Sequence, residues 1–334
     1  MIEAPPIEWQ LSVGGQIDAD PHGDVNLGLR RGALSAALRT DALSLRWDPS
    51  AEHGRAWVEL RGHAFAAAML ISPWTDGAPD PERALSLATA GGEAGALRYG
   101  RAGLYGGAKV SADRLFFGEM AATAIAVPDD RWLAAGDLLG GLYRPELSAW
   151  LRVGADLETG EAPRWSGHAA MEARWLPRWR AGAVALAPRV ELWAGLGEGQ
   201  DDLTRTRLGG LNPWVVPLAG AAWAERWVED YAVLRLGPTV GLGEAGEGAL
   251  GFRASPFVDL AAFDGAAEAG LGLGLRAWRG RAFLDLTPGF SPTIARAEGV
   301  GRTSVWFSLG LDWGAGHTPS GARPPGPPGV AWPG

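Results

Sequence analysis

Residues 304–313, SVWFSLGLDW, separate into two sets of different character. Val305, Phe307, Leu309, Leu311 and Trp313 are apolar, whereas Trp306, Ser308, Gly310 and Asp312 mix polar residues with a glycine. A period of two is that of a strand, whose successive side chains point to opposite faces. One face is greasy and the other mixed, so the fold turns on which solvent the greasy face meets.

The same alternation recurs along the chain. Trp9, Leu11 and Val13 alternate with Glu8, Gln10 and Ser12, and Val25, Leu27 and Leu29 with Asn26, Gly28 and Arg30. Leu147, Ala149, Leu151, Val153, Ala155 and Leu157 oppose Ser148, Trp150, Arg152, Gly154 and Asp156. Val184, Leu186, Val190 and Leu192 oppose Arg189, Glu191 and Trp193, and Leu271, Leu273 and Leu275 oppose Gly270, Gly272, Gly274 and Arg276. Turn signals such as DADPHGD, TDGAPDPE, VPDD, GEGQDD, GEAGEG and FDGAAE separate these runs. They predict about 14 strands, within about 12–16, many of about 9–13 residues, the length a tilted strand needs to cross a bilayer.

Composition removes several classes. A formal net charge of −8 argues against a nucleic-acid partner. Cysteine is absent, so neither disulfides nor thiolate metal sites hold the fold. The apolar stretches FAAAMLISPW and LNPWVVPLAGAAWA are short and broken by proline, which excludes a transmembrane helix there. The opening MIEAPPIEWQ has no signal-peptide pattern, so an exported chain is expected to be the mature form behind a starting Met.

The polar face decides between water and lipid. A soluble sandwich shows a richly charged outer face, but Lys109 is the only lysine here and the second face is glycine, alanine, serine and scattered Arg, Asp and Glu. The first face is Leu, Val and Ala, with Trp9, Trp47, Trp175, Trp179 and Trp313 near strand ends. Lipid outside, a polar lumen inside and aromatic girdles describe a transmembrane β-barrel. Soluble propellers and solenoids share the alternation, but no repeat of about 20–50 residues is present. The expected fold is therefore an all-β antiparallel transmembrane barrel over residues 1–313. Residues 314–334, GAGHTPSGARPPGPPGVAWPG, are too rich in Pro and Gly to pack and are expected to be a disordered periplasmic tail.

The terminal strand, through Val305, Phe307, Leu309, Leu311 and Trp313, resembles the C-terminal assembly signal of bacterial outer-membrane barrels. The segment from Ser255 to Phe290, SPFVDLAAFDGAAEAGLGLGLRAWRGRAFLDLTPGF, resembles the last strands of the outer-membrane assembly and surface-antigen barrel family. The resemblance implies an integral protein of the Gram-negative outer membrane, with outer-membrane lipid and the barrel assembly machinery as partners. That family carries periplasmic domains ahead of its barrel, whereas this chain opens almost at once on a strand. Its inward loop bears an Arg-Gly-aromatic triplet, which RLGGLNPWVVPLAG lacks.

By alternation Arg30, Arg152, Asp156, Arg189, Glu191, Arg235, Arg253, Asp259, Arg276, Asp285 and Asp312 line the lumen. Such mixed charges either pair across the barrel and fill it or line water that passes small solutes. The stretch 201–223, DDLTRTRLGGLNPWVVPLAGAAW, breaks the alternation and is either an external loop or one folded into the lumen, where it would gate. Ser166 and His168 share a strand face with Glu172 and raise a hydrolase reading, but the order and an orienting acid are wrong for it. His63, beside Arg61 by alternation, reads as a lumen residue. The Asp129-Asp130 and Asp201-Asp202 pairs read as solvated turns, and Asp18, Asp20 and Asp24 fit no calcium-loop spacing. The expectation is a channel or passive conduit for small solutes, with no cofactor, no metal and no catalytic residue. The alternative is a barrel component of protein assembly or secretion.

Overall fold

The structure is a computed structural model that describes residues 7–311. Residues 19–20, 32–33, 40–41, 48–55, 66–68, 72–73, 100–102, 120–126, 145, 161–162, 178, 183, 202–203, 212–214 and 243–249 are left out. For 42–47, 56–65, 69–71 and a few other strand positions only the backbone is described. Asp312, Trp313 and the tail 314–334 therefore lie outside the described residues.

The wall consists of β1 (Glu8–Ile17), β2 (His22–Arg31), β3 (Leu34–Arg39), β4 (Ala42–Trp47), β5 (Ala56–Phe65), β6 (Leu85–Tyr99), β7 (Leu104–Glu119) and β8 (Arg131–Tyr143). It continues through β9 (Leu147–Glu158), β10 (Arg164–Trp175), β11 (Val184–Glu198), β12 (Tyr231–Leu242), β13 (Leu250–Phe263), β14 (Ala266–Arg279), β15 (Ala282–Phe290) and β16 (Thr303–Leu311). The short pieces Met69–Ile71 and Trp179–Ala181 carry on β5 and β10, pairing with β6 and β11. Among the described residues the wall thus has sixteen strands, at the upper end of the range the turn signals predict. Each pairs antiparallel with the next, and β1 pairs both with β2 and with β16, from Leu11↔Leu311 to Ile17↔Val305. That last pairing closes the ring.

Side-chain phase follows the sequence. Leu309 is 51% exposed on the outer wall, while its neighbours Trp306 and Ser304 are buried inside. The same outward set runs round the molecule: Leu11, Leu27, Leu138, Leu151, Leu186, Val258, Leu271 and Leu284 are all exposed. So continuous an exposed apolar surface is tolerated only against lipid. The inward phase collects the buried polar residues Gln16, Asp137, Asp156, Glu172, Glu191, Arg235, Asp259 and Ser304.

The wall is uneven in height. Strands β6 and β7 have 15 and 16 residues, whereas β3 and β4 have 6 each. At about 3.4 Å per residue the latter extend roughly 20 Å before tilt, short of the about 9–11 residues that a crossing strand uses.

Lipid contact at the outward phase sets a measurable asymmetry. Leu309→Arg is expected to cost about 2–4 kcal/mol in lipid-reconstituted unfolding. Nitroxides at 307 and 309 are expected to be broadened by a lipid-soluble relaxant and those at 306 and 308 to be protected; equal broadening of both sets contradicts the barrel orientation.

Candidate functional site

The described residues of the 201–223 stretch lie inside the barrel. Between β11 and β12 the chain forms a small hairpin, Thr206–Leu208 with Arg226–Val228, in which Arg207 and Trp227 face each other and the guanidinium carbon lies 3.4 Å from the indole centroid. Leu208, Leu218 and Ala221 are fully buried, packed with Trp193, Tyr231, Val233, Ala261, Phe263 and Ile294. Trp223 and Trp227 reach the opposite side and pack against Leu87, Leu115, Leu133 and Phe117 of β6, β7 and β8. The segment therefore bridges the lumen at the end of the barrel where it enters. Of the two readings the sequence left open, the lumenal one holds. The physical reason is its content of Leu, Val, Trp and Ala, which would be costly to leave in water.

Polar anchors fix this plug to several strands. Ala219 N donates to Asp259 Oδ2 at 2.9 Å, and the same carboxylate receives Arg235 Nε and Nη2 at 2.7 and 2.8 Å. Asp259 is fully buried, and the Arg235 guanidinium carbon lies 3.9 Å from the Phe257 ring centroid. Gly220 N donates to Ser304 Oγ at 3.1 Å, on β16. Leu211 N donates to Gln16 Oε1 at 2.8 Å, and Trp223 N to Asp18 Oδ2 at 3.2 Å, at the end of β1. Arg296, from the segment between β15 and β16, donates to both oxygens of buried Glu225 and stacks on Trp74. The plug is thus bonded to both partners of the β1–β16 seam.

Two glycines make this seating possible. Gly220 has φ +83°, and a Cβ there would lie 2.1 Å from Ser291 N. A Cβ on Gly270 would lie 2.4 Å from Ala219 O. Of the glycines in GLGLGL, Gly270 meets the plug tip while Gly272 lies against the Phe257 ring, and Gly289 on β15 completes the seat against Ala219 and Leu211.

The predicted lumen charges pair mainly with neighbours along the wall. Arg189 Nε donates to Glu191 at 2.7 Å, and Arg276 approaches Asp285 at 3.7 Å. Arg30 stands 4.0 Å from Glu8, and the Arg253 guanidinium carbon 5.5 Å from the Trp278 ring centroid. Arg152 lies 3.7 Å from Asp137. Asp156 joins a cluster the sequence did not assemble: His168 Nδ1 lies 2.9 Å from Asp156 Oδ2 and Nε2 lies 2.7 Å from Asp137 Oδ1. Ser166 Oγ donates to Asp156, not to His168. Both ring nitrogens of His168 thus face carboxylates, and the Ser166 hydroxyl is bonded to Asp156 instead of the ring. Glu172 instead accepts from Trp150 Nε1 at 3.2 Å.

Other expectations resolve as follows. Asp18 accepts from Gln16 and from Trp223 N and so anchors the plug. Asp201 accepts from Thr204 N three residues on, as a turn residue does, but also lies 3.7 Å from both Arg131 and Arg164 rather than free in solvent, and Asp130 accepts from Phe117 N of β7. The side chains of Arg61, His63 and Asp24, and residues Asp20 and Asp202, lie outside those described. Among the described residues no cluster of three or more His, Cys, Asp and Glu suited to a metal ion occurs. Gln16, Asp137, Ser304, Glu225 and Arg296 escaped the sequence reading. The one available signal was an inward-phase polar residue in a glycine-rich strand, as at Gln16 and Asp137.

No protein-family model and no curated protein matches the chain. Among solved structures, CdiB from Acinetobacter baumannii is similar with a TM-score of 0.61 at 14% identity, over 91% of this chain and 60% of that one. BamA from Haemophilus ducreyi lacking POTRA domains 1–3 is similar with a TM-score of 0.60 at 11% identity, over 92% of this chain and 70% of that one. The chain thus spans about 60% of the length of CdiB. It has the fold of bacterial outer-membrane β-barrels, and its belt of outward Leu and Val is that of an integral outer-membrane protein.

The Asp259 carboxylate ties wall to plug, and its loss strands a buried guanidinium. Asp259→Ala is expected to destabilise the barrel by about 3–5 kcal/mol and to open 209–222 to protease. Asp285→Ala, which removes a partly exposed pair, is expected to cost at most about 1 kcal/mol. Heat-modifiable gel migration and limited proteolysis measure both.

Proposed function

We propose that the chain is a gated conduit of the outer membrane for polypeptide, and that the 201–228 segment is its gate. The observation that carries this reading is the seating of the plug: it bridges the lumen, and it bonds to Gln16 and Asp18 beside β1 and to Ser304 on β16. A plug fixed to both partners of one strand pair couples opening of the lumen to the state of that pair. The resemblance of Ser255–Phe290 to the assembly and surface-antigen family supports polypeptide as the cargo class. The seat of Ala219 on Asp259 and Gly270 lies within that stretch.

A small-solute conduit is the second reading, favoured by the mixed charges along β6–β11, among them Lys109 with Glu93, Arg152 with Asp137 and Arg174 with Glu172. Neither reading includes a catalytic step.

Planar-bilayer recording separates a plugged barrel from an open one. The intact chain is expected to stay closed with brief openings, and a variant with 209–222 replaced by a short Gly-Ser link to conduct steadily. A steady current from the intact chain that the replacement leaves unchanged overturns the gate. For the cargo class, a disulfide between Val13→Cys and Leu309→Cys, opposite each other across the seam, is expected to abolish complementation of a deletion strain and to leave the current of the plug-replaced variant intact. Full complementation by the locked barrel removes the polypeptide reading and leaves the small-solute one.

A further inference from the structure

On β7 the odd-numbered residues Tyr105, Asp113 and Leu115 are buried inside, and Val110 and Phe116 are exposed on the outer wall. Arg114 shares the outward phase. Its guanidinium carbon lies 6.0 Å from the Phe116 ring centroid and 5.9 Å from that of Trp132, the residue opposite it on β8. Both rings are exposed. Among the described residues no carboxylate pairs with Arg114. The contrast is with Arg131, one residue along from Trp132 and in the inward phase, which meets Glu158 at 2.7 Å and Asp201 at 3.7 Å.

A guanidinium does not lose its proton in a protein, so on a lipid-facing wall it needs an anion or water within reach. Two rings at about 6 Å flank the charge through their negative faces and leave the donor fork free. The outward arginines Arg31 and Arg98 stand at the other end of their strands, the end where the chain enters β1 and leaves β16. Arg114 stands one residue inside the end of the β7–β8 pairing, at the end that carries the 201–230 and 291–302 connections. In outer-membrane barrels the longer loops face outside the cell, where the leaflet is built of phosphorylated glycolipid. Around Arg114 the outward side chains are small: Ala88 and Ala90 face Phe116 and Arg114 from β6, and Ala112 and Ala134 form the next outward pair along β7 and β8.

We propose that Arg114, Phe116 and Trp132 form a binding site on the outer wall for the phosphate of an outer-leaflet glycolipid. The planar fork takes two phosphate oxygens, as guanidinium groups do. The aromatics sit at headgroup level on either side, and an acyl chain lies along the alanines. This site is independent of the plug and does not rest on the gate.

Native mass spectrometry of the full chain in detergent, with added bis-phosphorylated lipid A, tests it. One lipid adduct is expected on the intact protein. At equal lipid concentration Arg114→Gln is expected to lower its abundance about tenfold, as loss of one charge-assisted contact does. Arg114→Lys is expected to retain part of it and Arg98→Gln all of it. Heat-modifiable migration confirms that each variant is folded. Lipid A stripped of both phosphates is expected to give no adduct. Equal adducts on the intact protein and Arg114→Gln, equal binding of the stripped lipid, or equal binding of phosphatidylglycerol each overturn the proposal.

Discussion

Hydrocarbon offers no hydrogen-bond partners, and the rest of this structure follows from that. A backbone in lipid must satisfy every N–H and C=O internally, which for strands means a ring without edges. The pairing of β1 with β16 supplies the closure. Once the ring is closed, successive side chains fall alternately to lipid and lumen, so the period of two in SVWFSLGLDW expresses the same requirement. The inward phase then inherits all the polarity, and its charges have to find partners. They find them chiefly next door, as Arg235 does in Asp259 and Arg189 in Glu191.

Sixteen strands enclose more room than wall side chains alone fill. The 201–228 segment takes up that room at one end, and it does so with two different kinds of attachment. Apolar packing of Leu208, Leu218 and Ala221 resembles the core of a soluble domain. The polar attachments are mostly main-chain amides of the plug donating to wall side chains: Leu211 to Gln16, Ala219 to Asp259, Gly220 to Ser304. Each such bond is worth about 1 kcal/mol net, far less than the wall's continuous ladders. Plug and ring are thus held by different interactions, the plug by side-chain packing and amide-to-side-chain bonds and the ring by backbone ladders.

That division also explains what could be read in the sequence. Phase is a local property, so the outward set at Leu147–Leu157 and the inward positions of Arg152, Asp156, Arg235 and Asp259 were legible from neighbours alone. Partnership is not local. His168 meets Asp137 across 31 positions of chain, and Leu211 meets Gln16 across 195. An amide donor moreover carries no residue identity, so nothing in LAGAAW marks which N–H will bond. The irregular 201–223 stretch showed where the alternation fails; its inward turn depended on a seat at Gly270 contributed by a strand many residues later. The pair Glu225 and Arg296 stayed invisible for the same reason, each lying in an irregular connection.

The contrast between six-residue β3 and β4 and sixteen-residue β7 has a consequence for the surrounding bilayer. Lipids meet a tall hydrophobic wall on one flank and a low one on another, and their chains must adapt to both. Acyl chains beside β3 and β4 shorten or splay, and those beside β7 stay extended. A bilayer that accommodates strands of unequal described length does so by local changes in chain order.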